Sequence, residues 1–374
     1  MKVGVLGAGQ LGRMLALAGY PLGLEFVFYD RDAKACAGQV GKLIVGEFED
    51  EKKLTAFAQQ VDIVTVEFEN IPVSALKLVA QFVPVFPDPD AVNMAQDRLV
   101  EKQFFKSLGI PTPSFYAVDN AAALADILTV HSDFLVVKSR RLGYDGKGQL
   151  VLDSATSATE AWASLGNVPL IAEQQMQFKR EVSIVAARNR KGDVQFYPLI
   201  DNLHEKGILK RSRVALHDSL QVRAEDYARR ILKELNYVGV MAIEFFDVDG
   251  ELVANEFAPR VHNSGHWTIE GAVTSQFENH LRAICNWSLG ETRVPALCEM
   301  FNIIGKEPDR EMLFKVPDAY MHSYGKEARP GRKLGHVTLK ASTVQSTLAV
   351  QDILEERHES NLLDVVLNRK QSLR

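Results

Sequence analysis

The chain has 374 residues, 46% of them hydrophobic and 24% charged, with a formal net charge of −5. That length supports two or three domains with sizeable cores, and the acidic balance excludes a general affinity for nucleic acid. Cys36, Cys285 and Cys298 fit neither a zinc site nor a disulfide framework, no apolar run approaches the roughly 20 residues of a membrane span, and glycine interrupts the first residues before a signal-peptide core could form; a cytoplasmic setting is expected.

Up to about residue 90, short apolar strands are expected at 2–6, 25–29, 42–45, 61–66 and 83–86. The stretches between them are long enough for crossover helices, which predicts a parallel sheet. Gly7-Ala8-Gly9-Gln10-Leu11-Gly12 follows the first strand, and Asp30 ends the second. This is a dinucleotide-binding pattern. Its bare amides and helix N-terminus would equally suit another anion such as a sugar phosphate, and a tight turn with no ligand reads the same way. Gln10 and Arg13 add polar reach. Glu67 and Asn70 follow the fourth strand, near where ligands sit in parallel α/β sheets. One helix is expected over 91–108, stopped by Gly109-Ile110-Pro111-Thr112-Pro113.

Residues 114–181 read as a smaller mixed unit, with helices at 121–128 and 158–165 and strands at 134–138, 149–152 and 170–173. The first of these strands ends in Lys138 and leads to Gly143-Tyr144-Asp145-Gly146-Lys147-Gly148-Gln149. Exposed amides and nearby cations there can clamp phosphates as a closing flap; a surface hairpin with a solvated lysine is the alternative. It is not a P-loop. Glu173-Gln174-Gln175-Met176 ends a strand and can present backbone groups to an adenine edge, while Glu181 can take ribose hydroxyls.

From 181 onward a larger antiparallel sheet is expected, with helices at 224–235 and 275–286. Two apolar runs flank Asp249-Gly250, a hairpin signal. A strict two-residue turn pairs Glu244 with Asn255; a three-residue loop with a bulge sets Glu244 opposite Glu256. Two carboxylates about 4 Å apart repel by roughly 4 kcal/mol at an effective dielectric near 20, a penalty that a hard divalent cation removes. The pair and an amide suit Mg²⁺ shared with phosphates, with a solvated strand face as the other reading. Arg260, His262, Asn263 and further polar donors follow. Lys326, Arg329, Arg332 and Lys333 form the densest basic turn, ahead of a strand at 336–340. The tail after 355 is polar and is expected to fray.

In order, Asp97-Arg98-Leu99-x-Glu101-Lys102, Gly109-Ile-Pro-Thr-Pro113, the lysine strand, the flap, the linker acid and the paired acids resemble the ATP-grasp superfamily. Five further marks resemble one family within it, the ATP-dependent 5-(carboxyamino)imidazole ribonucleotide synthetases of purine biosynthesis. They are Gly7-Ala-Gly-Gln-Leu-Gly-Arg-Met14, Val66-Glu-Phe-Glu-Asn-Ile71, Gly143-Tyr-Asp-Gly-Lys-Gly148, Asn255-Glu-Phe-Ala-Pro-Arg-Val-His-Asn-Ser-Gly-His266 and Arg329-Pro-Gly-Arg-Lys333. The likeness runs from residue 1 to about 355.

The resemblance implies an α/β and α+β ATP-grasp fold in three parts. These are a Rossmann-like parallel-sheet domain over 1–112, a lid over 113–181, and a larger antiparallel-sheet domain over 182–374 with a small β-rich terminal segment. It implies that aminoimidazole ribonucleotide, bicarbonate and MgATP give the N-carboxylated product, ADP and phosphate, by way of carboxyphosphate, whose carboxyl group passes to the amine directly or as released CO₂. The first domain then binds a ribonucleotide instead of NAD. Competing expectations are a formate-using ribonucleotide transformylase, an NAD-dependent oxidoreductase resting on the glycine loop, and an ATP sensor without turnover.

The roles carried over are these. Arg98, Lys138, the flap residues Gly143 to Gln149, the linker Glu173 to Met176, Glu181, His204, Asn255 and Glu256 bind ATP. Glu244 and Glu256 hold Mg²⁺, with Mn²⁺ a possible substitute. Arg260, His262, Asn263 and Asp145 are the catalytic candidates, the first three toward bicarbonate or carboxyphosphate. Gln10, Leu11, Glu67, Asn70, Lys326, Arg332 and Lys333 bind the ribonucleotide. His204 as a solvated loop residue, His262 as a structural histidine and the basic turn as a solvated one remain open. Lys147 stands where the family often has Arg, which puts its direct role in doubt. A cytoplasmic homodimer is expected, without nucleic-acid or membrane partners.

Overall fold

A computed structural model describes residues 1–131, 134–143, 148–153 and 155–355. Tyr144, Asp145, Gly146 and Lys147 of the glycine loop, and the tail beyond 355, lie outside the described residues.

Lys2–Leu6, Glu25–Asp30, Lys42–Val45 and Ile63–Val66 pair in parallel, with the third strand at one edge and the fourth at the other. Alternation sends Val3, Val5, Phe26 and Phe28 toward helix Gln10–Gly19, and Leu6, Val27, Val64 and Val66 toward helices Glu51–Ala58 and Val73–Val79. The expected fifth strand is reduced to one parallel bridge, Val64 to Val85. Pro84, just before that residue, removes the next ladder donor toward Ile63–Val66.

The single helix expected over 91–108 is two helices, Pro89–Ala95 and Arg98–Ser107. Asp97 separates them in an extended conformation and caps the second, accepting from Leu99 N–H at 3.0 Å. The smaller unit is a four-stranded antiparallel sheet in the order Phe115–Val118, Leu170–Gln174, Leu135–Ser139, Gln149–Leu152. Helices Ala121–Val130 and Ala158–Ser164 pack on it around Leu124, Val137 and Leu170.

The third sheet runs Glu251–Ala258, Gly239–Val248, Arg180–Arg188, Ile200–Glu205, Ile208–Val214, Cys298–Ile304, Lys333–Lys340, Ala319–Ser323, with Val194–Phe196 beside Arg180–Arg188. Helix Gln276–Ile284 fastens it to the first sheet. Phe277 and Leu281 share a core with Leu15 and Met14. His280 accepts from Val240 N–H through Nδ1 at 3.0 Å, which leaves Nε2–H for Thr65 Oγ1 at 2.8 Å.

Candidate active site

Asp249 and Gly250 both have positive φ, 52° and 85°. They make a two-residue turn with Val248 opposite Glu251. Pairing is regular to Phe245 opposite Ala254 and then slips by one, so Glu244 faces Glu256. The bulge therefore lies at Asn255, beside the acids, and not at a three-residue turn as the sequence suggested. Helix Arg98–Ser107 holds it there. Lys102 Nζ donates to the carbonyls of Ala254 at 3.2 Å and Asn255 at 2.6 Å, and Glu101 accepts from Phe257 N–H at 2.7 Å. Burial, then the nearby Glu256, pushes the Glu101 carboxyl well above the usual range.

Burial and then Glu256 likewise push Glu244 up to about 7. Two facing acids that resist joint ionisation fit a divalent cation. Asn255 Oδ1, between them in sequence, is buried without a hydrogen-bond partner among the described residues. No group of three or more His, Cys, Asp or Glu among the described residues could hold a metal by itself. This donor set suits Mg²⁺, which is usually shared with substrate phosphates.

Lys138 and Lys102 both reach Glu173, at 3.2 Å each. Burial opposes the Glu173 charge, but the two ammonium groups outweigh it and hold the carboxyl below the usual range. Arg98 donates to the carbonyls of Ser139 at 3.0 Å and Gly143 at 2.9 Å, at the base of the flap. Gly148 and Gln149 open the return strand, with Gln149 opposite Lys138. In the linker, the N–H groups of Gln174 and Gln175 are taken by the carbonyls of Ser114 and Phe134, while Met176 is half-buried beyond them. His204 lies on a hairpin strand, not in a polar loop, and its Nδ1 contacts Glu181. The two line a cleft of about 370 Å³ with Phe178, Asn202, Arg211 and Arg213. The two arginines had no role in the sequence reading.

Past the hairpin, Arg260 Nε donates to Glu69 Oε2 of the first sheet's fourth loop. His262 Nε2 lies 3.4 Å from Glu244 Oε1. Its other nitrogen ends a directed chain: Asn202 Nδ2 donates to Ser183 Oγ at 2.8 Å, and Ser183 Oγ to Ser264 Oγ at 2.9 Å. Ser264 Oγ, 2.9 Å from His262 Nδ1, has its proton left for that nitrogen. Burial, then Arg260, keeps His262 well below the usual histidine range. The imidazole is therefore neutral with its proton on Nε2, a donor toward the acids. Asn263 exchanges amide hydrogen bonds with Asn302 at 2.9 and 2.7 Å.

The glycine loop is filled. Glu67 accepts from Gly9 N–H at 2.6 Å and Leu11 N–H at 3.1 Å, and Asp30 accepts from Ala8 N–H at 2.7 Å. Leu11 is buried in the core, so neither its side chain nor its amide is open to a ligand, which corrects the sequence reading. Gln10 remains at the surface of the loop and meets Lys326 Nζ. Asn70 is half-buried beside Glu69. The basic turn divides. Arg329 pairs with Glu327, and Arg332 donates to the Glu327 carbonyl. Lys333 instead lies close enough to act on Glu244, His204 and His262, so that end of the turn is not remote from the acids.

Three family models match in order: a ribonucleotide synthetase preATP-grasp domain over residues 1–96, an ATP-grasp domain over 103–277 and a phosphoribosylaminoimidazole carboxylase C-terminal domain over 298–349. The N5-carboxyaminoimidazole ribonucleotide synthase of Pseudomonas aeruginosa is 49% identical over 359 residues, covering 95% of this chain and 100% of that protein. The chain belongs to the N5-carboxyaminoimidazole ribonucleotide synthase family. Among solved structures, the Thermus thermophilus synthetase superposes with a TM-score of 0.89 at 49% identity, covering 94% of this chain and 98% of that one. The Aspergillus clavatus synthase, in complex with ADP and 5-aminoimidazole ribonucleotide, gives 0.86 at 31% identity, covering 98% of both chains. The ATP-grasp fold expected from the sequence is the fold of this family.

Proposed function

We propose that this chain joins bicarbonate to the exocyclic amine of 5-aminoimidazole ribonucleotide, converting ATP to ADP and phosphate, as a step of purine biosynthesis. One observation carries the reading. Arg260, on the chain just past the acids Glu244 and Glu256, meets Glu69 on the loop of the parallel sheet. A single guanidinium thus stands between a phosphoryl-transfer centre and a ribonucleotide-binding sheet. Relatives named for this activity support it, matching 95% and 91% of the chain.

In this mechanism a bicarbonate oxygen attacks the γ-phosphorus of ATP, the bond to ADP breaks, and carboxyphosphate forms. The amine nitrogen then takes the carboxyl carbon, phosphate leaves and the amine loses a proton. Glu244 and Glu256 would hold Mg²⁺ or Mn²⁺, which supplies charge neutralisation on the phosphates. Lys138, Arg98 and the flap Gly143 to Gln149 neutralise and orient the triphosphate. Glu173 to Met176, Glu181, His204 and Asn255 receive the adenosine side. Arg260 offers a planar fork to a trigonal oxyanion. His262 donates from Nε2, and Asn263 and Asp145 complete the catalytic set. Gln10, Glu67, Asn70, Lys326, Arg332 and Lys333 receive the ribonucleotide.

The proposal divides the chain at 112 and 181 into a Rossmann-like domain, a lid and a C-terminal domain, and places it as a cytoplasmic homodimer. Three buried free thiols, Cys36, Cys285 and Cys298, support a reducing compartment. No helix among the described residues is long and apolar enough to cross a membrane. The test is phosphate release from MgATP. It should require both bicarbonate and the ribonucleotide, and formate should not replace bicarbonate. Release that formate sustains, or that needs neither substrate, overturns the proposal.

A further inference from the structure

The loop after strand Ile63–Val66 carries two acids that face different ways. Glu67 turns inward to the glycine loop. Glu69 crosses to the hairpin domain and receives Arg260 Nε. Their side chains are 25% and 16% exposed, so the pair is not a solvent-screened surface bridge. Arg260 Nη1 donates to the Val261 carbonyl at 3.2 Å. Among the described residues, that leaves Nη2 as the guanidinium nitrogen open to an anion.

The loop itself is tied down. Gln96 Nε2 donates to the carbonyls of Glu69 at 2.8 Å and Ile71 at 2.7 Å, and Gln96 Oε1 lies 3.4 Å from Arg141 Nη1, just beyond the lysine strand. Gln96 directly precedes Asp97, which holds Arg140 through two hydrogen bonds of 3.0 and 2.7 Å. One line of contacts therefore runs from the base of the lid, through Gln96 and Glu69, to Arg260.

We infer that Glu69 is a positioning residue: it clamps the plane of the Arg260 guanidinium, so that the edge offered to carboxyphosphate depends on the state of loop 67–71 where the ribonucleotide binds. The inference rests on the carboxylase reading above. Its consequence is coupling. With the loop settled by ribonucleotide, Arg260 is aimed and the carboxylated intermediate is held for transfer. With the clamp cut, the intermediate forms loosely and is lost to water as phosphate and bicarbonate.

The test compares wild type with Glu69→Gln and Glu69→Asp, measuring phosphate and carboxylated ribonucleotide together. Glu69→Gln should raise the bicarbonate KM about tenfold, leave the MgATP KM within about twofold, and release phosphate in excess of product. Glu69→Asp, which keeps the charge, should recover part of the coupling. An unchanged bicarbonate KM with an unchanged phosphate-to-product ratio overturns the inference. So does an MgATP KM that rises in step, the mark of general damage. A second arm needs no turnover. The Arg260 Nε–H resonance of ¹⁵N-labelled protein, assigned by its loss in Arg260→Lys, should move in Glu69→Gln. If wild type shows no bicarbonate-dependent release, the carboxylase reading fails, and this resonance alone decides the clamp: no movement overturns it.

Discussion

Glu67 Oε2 accepts a hydrogen bond from the backbone N–H of Gly9 at 2.6 Å. Its other oxygen takes the Leu11 amide. A carboxylate of the chain itself thus occupies the place where a dinucleotide fold receives pyrophosphate. Asp30, the acid expected to reach a ribose, is bound to the Ala8 amide. The glycines serve this closeness: a Cβ on Gly7 would sit 2.8 Å from Glu67 Oε2, and one on Gly9 would collide with Oε1.

The first prediction follows. Gly9→Ala should displace Glu67 and destabilise the protein by about 1–3 kcal/mol, the range for overpacking a filled site. The denaturant midpoint checks it. Wild type should also fail to bind NADH by fluorescence, since the nest is already filled. Tight NADH binding would show that Glu67 yields to a dinucleotide.

The paired acids give a prediction with a definite sign. The Glu244 carboxyl is raised from 4.5 to about 7. Its contribution to stability without metal is therefore fully present below about pH 4.5 and is lost as pH rises through about 7. Metal needs the ionised form, so MgADP binding at pH 7 should release about half a proton from this group. Calorimetry in buffers of different ionisation enthalpy measures that release, and Glu244→Gln should remove it. Either Glu244→Gln or Glu256→Gln should also abolish turnover. Near-normal activity at limiting Mg²⁺ would refute the metal assignment.

Much of this site was legible because its signals are local. Alternation around Asp249-Gly250 predicted the hairpin, while the facing of Glu244 and Glu256 followed from it only if a bulge was added. The place of the bulge was not legible, because Lys102 and Glu101 fix it from a helix about 150 residues earlier in the chain. The glycine loop was readable as a nest, while its occupant lies 58 residues away. Glu69 alternates with Glu67 in the same motif, and that spacing was the one available sign that it faces elsewhere. Asp97 carried an N-cap signal at the start of Arg98–Ser107, yet helical residues on both sides masked the break. The filled loop, the bulge and the clamp all depend on contacts between distant segments, which periodicity does not encode.

Glu173 is the next test. It is buried between Lys102 and Lys138. Glu173→Gln would leave the buried Lys102 ammonium and the half-buried Lys138 ammonium without their counter-charge, costing about 3–5 kcal/mol. Because its carboxyl is held below the usual range, its contribution is present above about pH 4.5 and is lost as pH falls through the lower folded-state value. The variant should thus be less stable at neutral pH, with the gap to wild type narrowing in acid. Its MgATP KM should rise as Lys138 loses its anchor. Equal stability across that pH range would mean the lysines find other partners.

The last prediction separates the three cations of the anion sites. Arg332 is bound to the Glu327 carbonyl, so Arg332→Ala should mainly raise the ribonucleotide KM, by about tenfold, through lost uniform binding. In the proposed mechanism Arg260 meets the charge that develops on carboxyphosphate, so Arg260→Ala should lower kcat by about a hundredfold. Lys333, placed with Arg332 toward the ribonucleotide, also acts on the acids, because its charge lowers the Glu244 carboxyl and disfavours protonated His262. Lys333→Ala should therefore lower kcat and move the acid limb of the pH–rate profile to higher pH, since removing a cation makes Glu244 harder to ionise. A matched steady-state comparison decides it. If Lys333→Ala changes only the ribonucleotide KM, as Arg332→Ala should, Lys333 is a phosphate ligand with no electrical part in the metal site.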